Sequence, residues 1–181
     1  MKKLNIAICG AGPAGLAAAI ALRREGHVIV VFDQFETPKR LGSGLILQPT
    51  GLAVLDWLGL DNDMQELGAP IHRLYGKAAK SGRVVLDVSY DSLGDARGLA
   101  VHRAGLFYVL HNAVTKAQIK LEMSSKIISL DGSILILDKA RRDLDSQTKC
   151  NTLIRCCYGT KVQSYQRLLS STYVCPVTQS D

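Results

Sequence analysis

Three glycines and one acid are the residues whose types and spacing could do chemistry. Gly10, Gly12 and Gly15 follow the short apolar run 4–9 at G-x-G-x-x-G spacing, and Asp33 closes a second apolar run, 28–32. Gly10 allows a tight turn out of a strand, Gly12 lets the backbone approach a pyrophosphate with no Cβ in the way, and Gly15 lets the next helix lie against a sheet. The anion then sits on the N-terminus of that helix, where open N–H groups and the helix dipole favour negative charge. Pro13 is tolerated in the first turn because its missing N–H would have had no intrahelical partner. The Asp33 carboxylate can accept hydrogen bonds from ribose hydroxyls. Together these residues suit dinucleotide binding.

No comparable set supports metal binding or side-chain catalysis. His27, His72, His102 and His111 have no metal-ligand spacing to one another or to a cysteine, and no C-x-x-C occurs. Tyr75, Tyr90 and His102 could stand beside a substrate or simply pack in strands. No side-chain triad or carboxylate pair stands out.

The elements that must position the glycines and Asp33 are legible around them. A buried strand over 4–9, a helix from about Pro13 to Glu25 ended by Gly26, and a β-branched strand over 28–32 make a βαβ unit of about thirty residues. Next come a loop at Gly42 and Gly44, a short strand at 45–47, and a helix from Pro49 to Gly59 with Leu52, Leu55 and Leu58 on one face. Trp57 is expected in the core. Asn62 reads as a cap for a short turn through Leu67, ended by Gly68-Ala69-Pro70. Beyond Ile71 the period changes to two, giving strands at 71–75 and 84–88 joined through a Ser81-Gly82 turn. A strand at 99–102 leads into Arg103 and a helix over 104–116, with Leu106, Val109, Leu110 and Ala113 on one face. Alternation at Ile119, Leu121 and Met123 gives another strand, and Asp131-Gly132 marks a hairpin between 127–130 and 133–137.

At 181 residues and 47% hydrophobic, the chain is long enough for one ordinary domain with a real core. Its net charge of +6, from 22 basic and 16 acidic residues, is mixed along the sequence without a block of like charge or a nucleic-acid motif. No nucleic-acid partner is expected. Lys2 and Lys3 precede an uncharged stretch, 4–22, of the kind that opens a signal peptide or a membrane span. Asn5 and the cluster Gly10, Gly12, Pro13 and Gly15 would interrupt that helix near its middle. No membrane span is expected, the chain is assigned to the cytoplasm, and its thiols are expected to be free. Cys9 reads as a buried strand residue, while Cys150, Cys156, Cys157 and Cys175 crowd the last 32 residues.

Four ordered stretches carry a family likeness: GAGPAG at 10–15, GHVIVVFD at 26–33, RLGSGLILQPTGLAVLDWLGL at 40–60 and VHRAGLFYVL at 101–110. Over about residues 3–137 the chain resembles the amino-terminal half of the class A flavoprotein monooxygenases, the group that includes para-hydroxybenzoate hydroxylase. The resemblance implies an α/β fold, a Rossmann-like FAD-binding βαβ unit joined to a partial, truncated β-rich substrate domain. It implies that Gly10, Gly12, Pro13, Ala14 and Gly15 cradle the FAD pyrophosphate and that Asp33 binds the adenosine ribose. Arg40 and the loop Gly42, Gly44 and Leu45 match the segment beside the flavin, with Gln48 near its ring. Arg103 matches the arginine that opens a helix and reaches the cofactor, and its rigid fork of donors suits phosphate or ribityl oxygens. In such enzymes NAD(P)H reduces the flavin, dioxygen is consumed, and a small aromatic substrate is hydroxylated.

The likeness weakens near residue 150. The family places a strand there and then a turn resembling G-A-D-G. This chain has Thr152-Leu153-Ile154 in the strand position and Gly159 in place of the last glycine, but no Asp. The expected organisation is therefore 1–149 as a partial FAD-binding domain, with inserted substrate-domain strands at about 70–100, and 150–181 as an irregular tail. Composition and motif agreement change together here, as a shifted reading frame would make them. A neighbouring frame of the coding DNA should then continue with Gly-Asp and apolar strands. A natural tail on a short flavoprotein is the alternative. The expected function is an FAD-binding protein of the NAD(P)H-dependent aromatic monooxygenase type, truncated and inactive. A non-catalytic nucleotide-binding or interaction module comes second. An NAD-dependent dehydrogenase comes third, because it predicts another strand-helix-strand crossover after Asp33 where this chain offers a glycine loop and hairpins.

Overall fold

A computed structural model describes residues 2–37, 43–90, 98–131, 134–137, 147–149 and 152–156. In chain order the elements are β1 (Asn5–Cys9), α1 (Pro13–Arg24), β2 (Val28–Phe32), β3 (Gly44–Leu47), α2 (Pro49–Trp57), α3 (Asp61–Gln65), β4 (Gly68–Ile71) and β5 (Arg73–Lys77). They continue with β6 (Val84–Ser89), β7 (Gly98–His102), α4 (Arg103–Lys116), β8 (Lys120–Glu122), β9 (Ile127–Asp131), β10 (Ile134–Leu137), β11 (Gln147–Lys149) and β12 (Thr152–Arg155). The chain forms two compact units, Met1–Lys39 with Leu110–Asp181, and Arg40–Val109.

The first unit is built on a parallel sheet in the order β12-β1-β2-β8. Parallel neighbours need a crossover, and α1 supplies it between β1 and β2. The central strands are buried, which is why they read as continuous apolar runs: Ile6, Ala7 and Ile8 in β1, and Ile29, Val31 and Phe32 in β2. α1 buries Leu16, Ala19 and Ile20, and Gly26, at φ 85°, turns the chain into β2 by donating its N–H to the Arg23 carbonyl. On β12, Leu153 lies opposite Ala7 and packs with it, Phe32 and Ile127 in one buried cluster. Residues 152–155 of the segment expected as an irregular tail thus belong to this sheet. A second, antiparallel sheet, β11-β10-β9, contains a hairpin of β9 and β10 whose register differs from the expected one: Asp131, expected in the turn, is the last residue of β9 and pairs with Ile134.

The second unit has an antiparallel sheet in the order β3-β7-β4 and a two-stranded ribbon, β5-β6. Three details differ from the sequence expectations. The strand expected at 71–75 is divided between β4, which the Gly68-Ala69-Pro70 stretch opens and where Pro70 is tolerated because β4 is an edge strand, and β5. Trp57 is 58% exposed rather than in the core, since the α2 contacts centre on Leu55 and the following Leu58. Asn62 is not the cap of α3, whose first turn begins at Asp61 after Leu60. Among the described residues no helix is long and apolar enough to cross a membrane, and no group of His, Cys, Asp or Glu could hold a metal ion.

Candidate cofactor-binding site

The glycine turn in the first unit has three different physical demands at its three glycines. Gly10 sits at φ 109°, a region that side chains rarely enter, and donates its N–H to the Phe32 carbonyl at 2.8 Å. Gly15 is required by space: a Cβ there would fall 1.9 Å from the Gly10 carbonyl oxygen. Its closest neighbour is the turn itself, which refines the expectation that Gly15 serves the approach of helix to sheet. Gly12 is different. Its backbone is ordinary and extended, φ −77° and ψ 176°, and a Cβ on it would meet nothing within 4 Å. Neither the fold nor the backbone asks for glycine at Gly12.

Gly12 is also the N-cap of α1, and no side chain caps that helix end. Pro13 holds the first helical position, the first turn carries no acid, and Arg23 and Arg24 lie in the last turn. The first internal bond runs from Leu16 N–H to the Gly12 carbonyl, 2.9 Å. The amides of Ala14 and Gly15 precede it, where a helix has no intrahelical acceptors to offer. An open surface at Gly12, a helix end with no side-chain cap and a first turn with no acid of its own together fit a pyrophosphate.

Asp33 has a second role that the sequence reading missed. Its Oδ2 accepts the Ala11 N–H at 2.7 Å, and its Oδ1 accepts the Phe35 N–H at 3.0 Å. The carboxylate therefore clamps the glycine turn to the segment after β2. The bond to Phe35, two residues on, is the Asx-turn habit of aspartate and was a usable signal; the bond to Ala11 comes only from tertiary packing. Carboxylate oxygens together offer about four acceptor positions, so two protein donors leave room for ribose hydroxyls. The Asp33 backbone is tied as well, its N–H to Glu122 and its carbonyl to the Ser125 N–H.

In the second unit, β3 and β7 bring several of the expected residues together. Gly44 lies opposite His102 and Leu45 opposite Val101, and the Arg103 N–H donates to the Ser43 carbonyl at 3.3 Å. His102 caps α4 by accepting the Ala104 N–H on Nδ1, and Arg103 is exposed at the start of that helix. Gln48 precedes α2 without capping it, because its Oε1 accepts the Tyr90 hydroxyl at 2.7 Å. Tyr90 is buried at 3% exposure and its ring packs against Gly98. Arg40 and Gly42 lie outside the described residues, as do Tyr158 and Gly159.

Residues 3–160 match the family model described as FAD binding domain. The chain belongs to this family. Its FAD-binding domain is similar to curated proteins that include hispidin-3-hydroxylase of Neonothopanus nambi, 47% identical over 62 residues, covering 34% of this chain and 15% of that protein. It is also similar to 6-hydroxynicotinate 3-monooxygenase of Pseudomonas fluorescens, 31% identical over 117 residues, covering 61% of this chain and 30% of that protein. The chain thus spans well under half the length of these relatives. Among solved structures the fold is similar to that of 2-methyl-3-hydroxypyridine-5-carboxylic acid oxygenase, with a TM-score of 0.71 and 20% identity over 85% of this chain and 39% of that one. CtdE, solved in complex with FAD, matches with a TM-score of 0.64 and 19% identity over 85% of this chain and 38% of that one. FAD is the cofactor of this family, and the dehydrogenase reading falls away. The topology agrees, since β3 after Asp33 pairs antiparallel with β7 instead of opening a second parallel crossover.

Proposed function

We propose that this chain holds the FAD of an NAD(P)H-dependent aromatic hydroxylase. The pyrophosphate lies on Gly10, Gly12, Pro13, Ala14 and Gly15, and the adenosine ribose on Asp33. Gly12 is the observation that carries the assignment to a ligand: its glycine is unexplained by conformation or packing and is explained by a group that needs the space over it. In the second unit, Arg40, Gly42, Gly44, Leu45, Gln48 and Arg103 are proposed to hold the remainder of FAD, and the strands at about 70–100 to contribute to the substrate domain.

FAD, when bound, supplies the redox chemistry between a nicotinamide donor and dioxygen. The chain's own residues bind and orient it: open amides on the phosphates, a carboxylate on the ribose, and a guanidinium available for anionic or polar oxygens. Productive hydroxylation also requires a site closed to water around an aromatic substrate. The 181-residue polypeptide is accordingly proposed to bind FAD without turning over by itself.

Visible absorption of the purified chain after incubation with FAD and gel filtration tests this reading. Retained flavin bands are expected, with no FAD-dependent consumption of NADH or NADPH above free flavin in the presence of phenolic acids. A colourless protein would overturn cofactor binding, whereas substrate-dependent turnover would overturn the inactive state alone.

A further inference from the structure

Phe35 is an exposed aromatic held on an unusually well-tied backbone. The residue is 54% exposed. Its N–H donates to Asp33 Oδ1 at 3.0 Å, and its carbonyl accepts the Ser124 N–H at 2.9 Å. Ser124 adopts φ 54°, a region that non-glycine residues enter at a cost, and so the turn after β8 is committed to this geometry. Ser125 is buried, donates its N–H to the Asp33 carbonyl at 2.8 Å, and places its hydroxyl on the Met123 carbonyl at 3.1 Å. Two segments far apart in sequence, 33–35 and 123–125, therefore lock one another, and the ring they present is left uncovered.

The position of that ring is set by the same carboxylate that serves the glycine turn. Asp33 Oδ2 is bonded to Ala11, inside G-x-G-x-x-G, and Asp33 Oδ1 to Phe35. Phosphate cradle, ribose acceptor and aromatic ring are thus mounted on one side chain. In a dinucleotide the base follows the ribose directly. An aromatic face is sequence-tolerant and apolar, and stacking of a base on it recovers the contact that solvent exposure forfeits.

We propose that Phe35 is the stacking platform for the adenine of FAD. The inference rests on the cofactor reading above and adds a residue to it. Because the ring is outside the core, its replacement should alter adenosine affinity and leave folding intact.

The test uses the whole chain loaded with FAD and displaced by either of two competitors, ADP or inorganic pyrophosphate. For Phe35→Leu, which keeps apolar bulk and loses the π-face, ADP should displace FAD about tenfold less well relative to pyrophosphate than for wild type. Phe35→Tyr should restore the wild-type ratio, and the thermal midpoints of all three should agree. An unchanged ADP-to-pyrophosphate ratio in Phe35→Leu would overturn the platform while leaving FAD binding standing. Equal weakening toward both competitors would also overturn it, since that reports a disturbed turn rather than a lost stack. A wild-type chain that binds no FAD, or a Gly12→Val variant that binds as wild type does, would remove the cofactor reading and the platform with it.

Discussion

Gly12 and Gly15 stand three residues apart in one motif and should respond oppositely to substitution. A Cβ at Gly12 enters open space with an ordinary backbone, so Gly12→Val is expected to cost the fold no more than a poorer N-cap does, about 1 kcal/mol, while abolishing retention of FAD. At Gly15 the added carbon would collide with the Gly10 carbonyl at 1.9 Å. Gly15→Ala should therefore destabilise the fold itself, by about 1–3 kcal/mol as overpacking does, visible in chemical denaturation without any cofactor present. Equal behaviour of the two variants in both measurements would show that the turn is not divided between fold and ligand in this way. Asp33 combines the two roles, because the carboxylate that braces the turn is also the one proposed to bind the ribose.

At the scale of elements, the β5-β6 ribbon is two-faced. Arg73, Tyr75, Asp87 and Ser89 share one face by register, and Leu74, Leu86 and Val88 the other. The polar face is tied by a bidentate pair from Arg73 to Asp87, 2.8 and 2.9 Å, and the Arg73 guanidinium lies 4.8 Å from the centre of the Tyr75 ring. Hydrogen bonding from Arg73 holds the Asp87 carboxyl below its ordinary range, and Asp87 in turn raises Arg73. A depressed carboxyl stabilises the folded ribbon at pH values above the unfolded carboxyl pKa, about 3.9, and that contribution disappears as pH falls through the lowered value. Both side chains are about half exposed, so salt should weaken the effect. An NMR titration is expected to find the Asp87 carboxyl below its ordinary range, and Arg73→Gln should return it to that range. An Asp87 midpoint indifferent to that substitution would refute the pairing.

For the molecule as a whole, the first unit joins residues near both ends of the described chain. β1 is flanked by β2, its neighbour through α1, and by β12, more than a hundred residues later in the sequence. Leu153 is 5% exposed in the cluster with Ala7, Phe32 and Ile127. Leu153→Ala should cost about 2–5 kcal/mol in denaturant unfolding, as large-to-small core changes do. A loss below a few tenths would mean that β12 is not integral to this sheet. The second unit, by contrast, leaves apolar residues uncovered on its ribbon, with Val84, Val85, Leu86 and Val88 between 39% and 59% exposed. The period-two pattern placed a strand at 84–88, one residue short of β6, but such a pattern carries no information on what covers either face.

Local chemistry determined a large share of this protein from its sequence. The βαβ unit was legible because a strand, a glycine turn, a helix stop at Gly26 and a terminal acid are each short-range signals, and the four ordered stretches then distinguished FAD from NAD. The existence of the β9-β10 hairpin, though not its turn register, and the helix opening at Arg103 were legible for the same reason. What only the tertiary structure decided depends on partners distant in sequence. Pro70 became an edge-strand residue because β7 lies on one side of it only. Gln48 was taken from the cap of α2 by Tyr90, and Asp33 was turned toward Ala11. The backbone of the exposed Phe35 is held by a serine turn nearly ninety residues away. Propensity and spacing act over a few residues, whereas these assignments are settled by hydrogen bonds and contacts that exist only once the chain has folded.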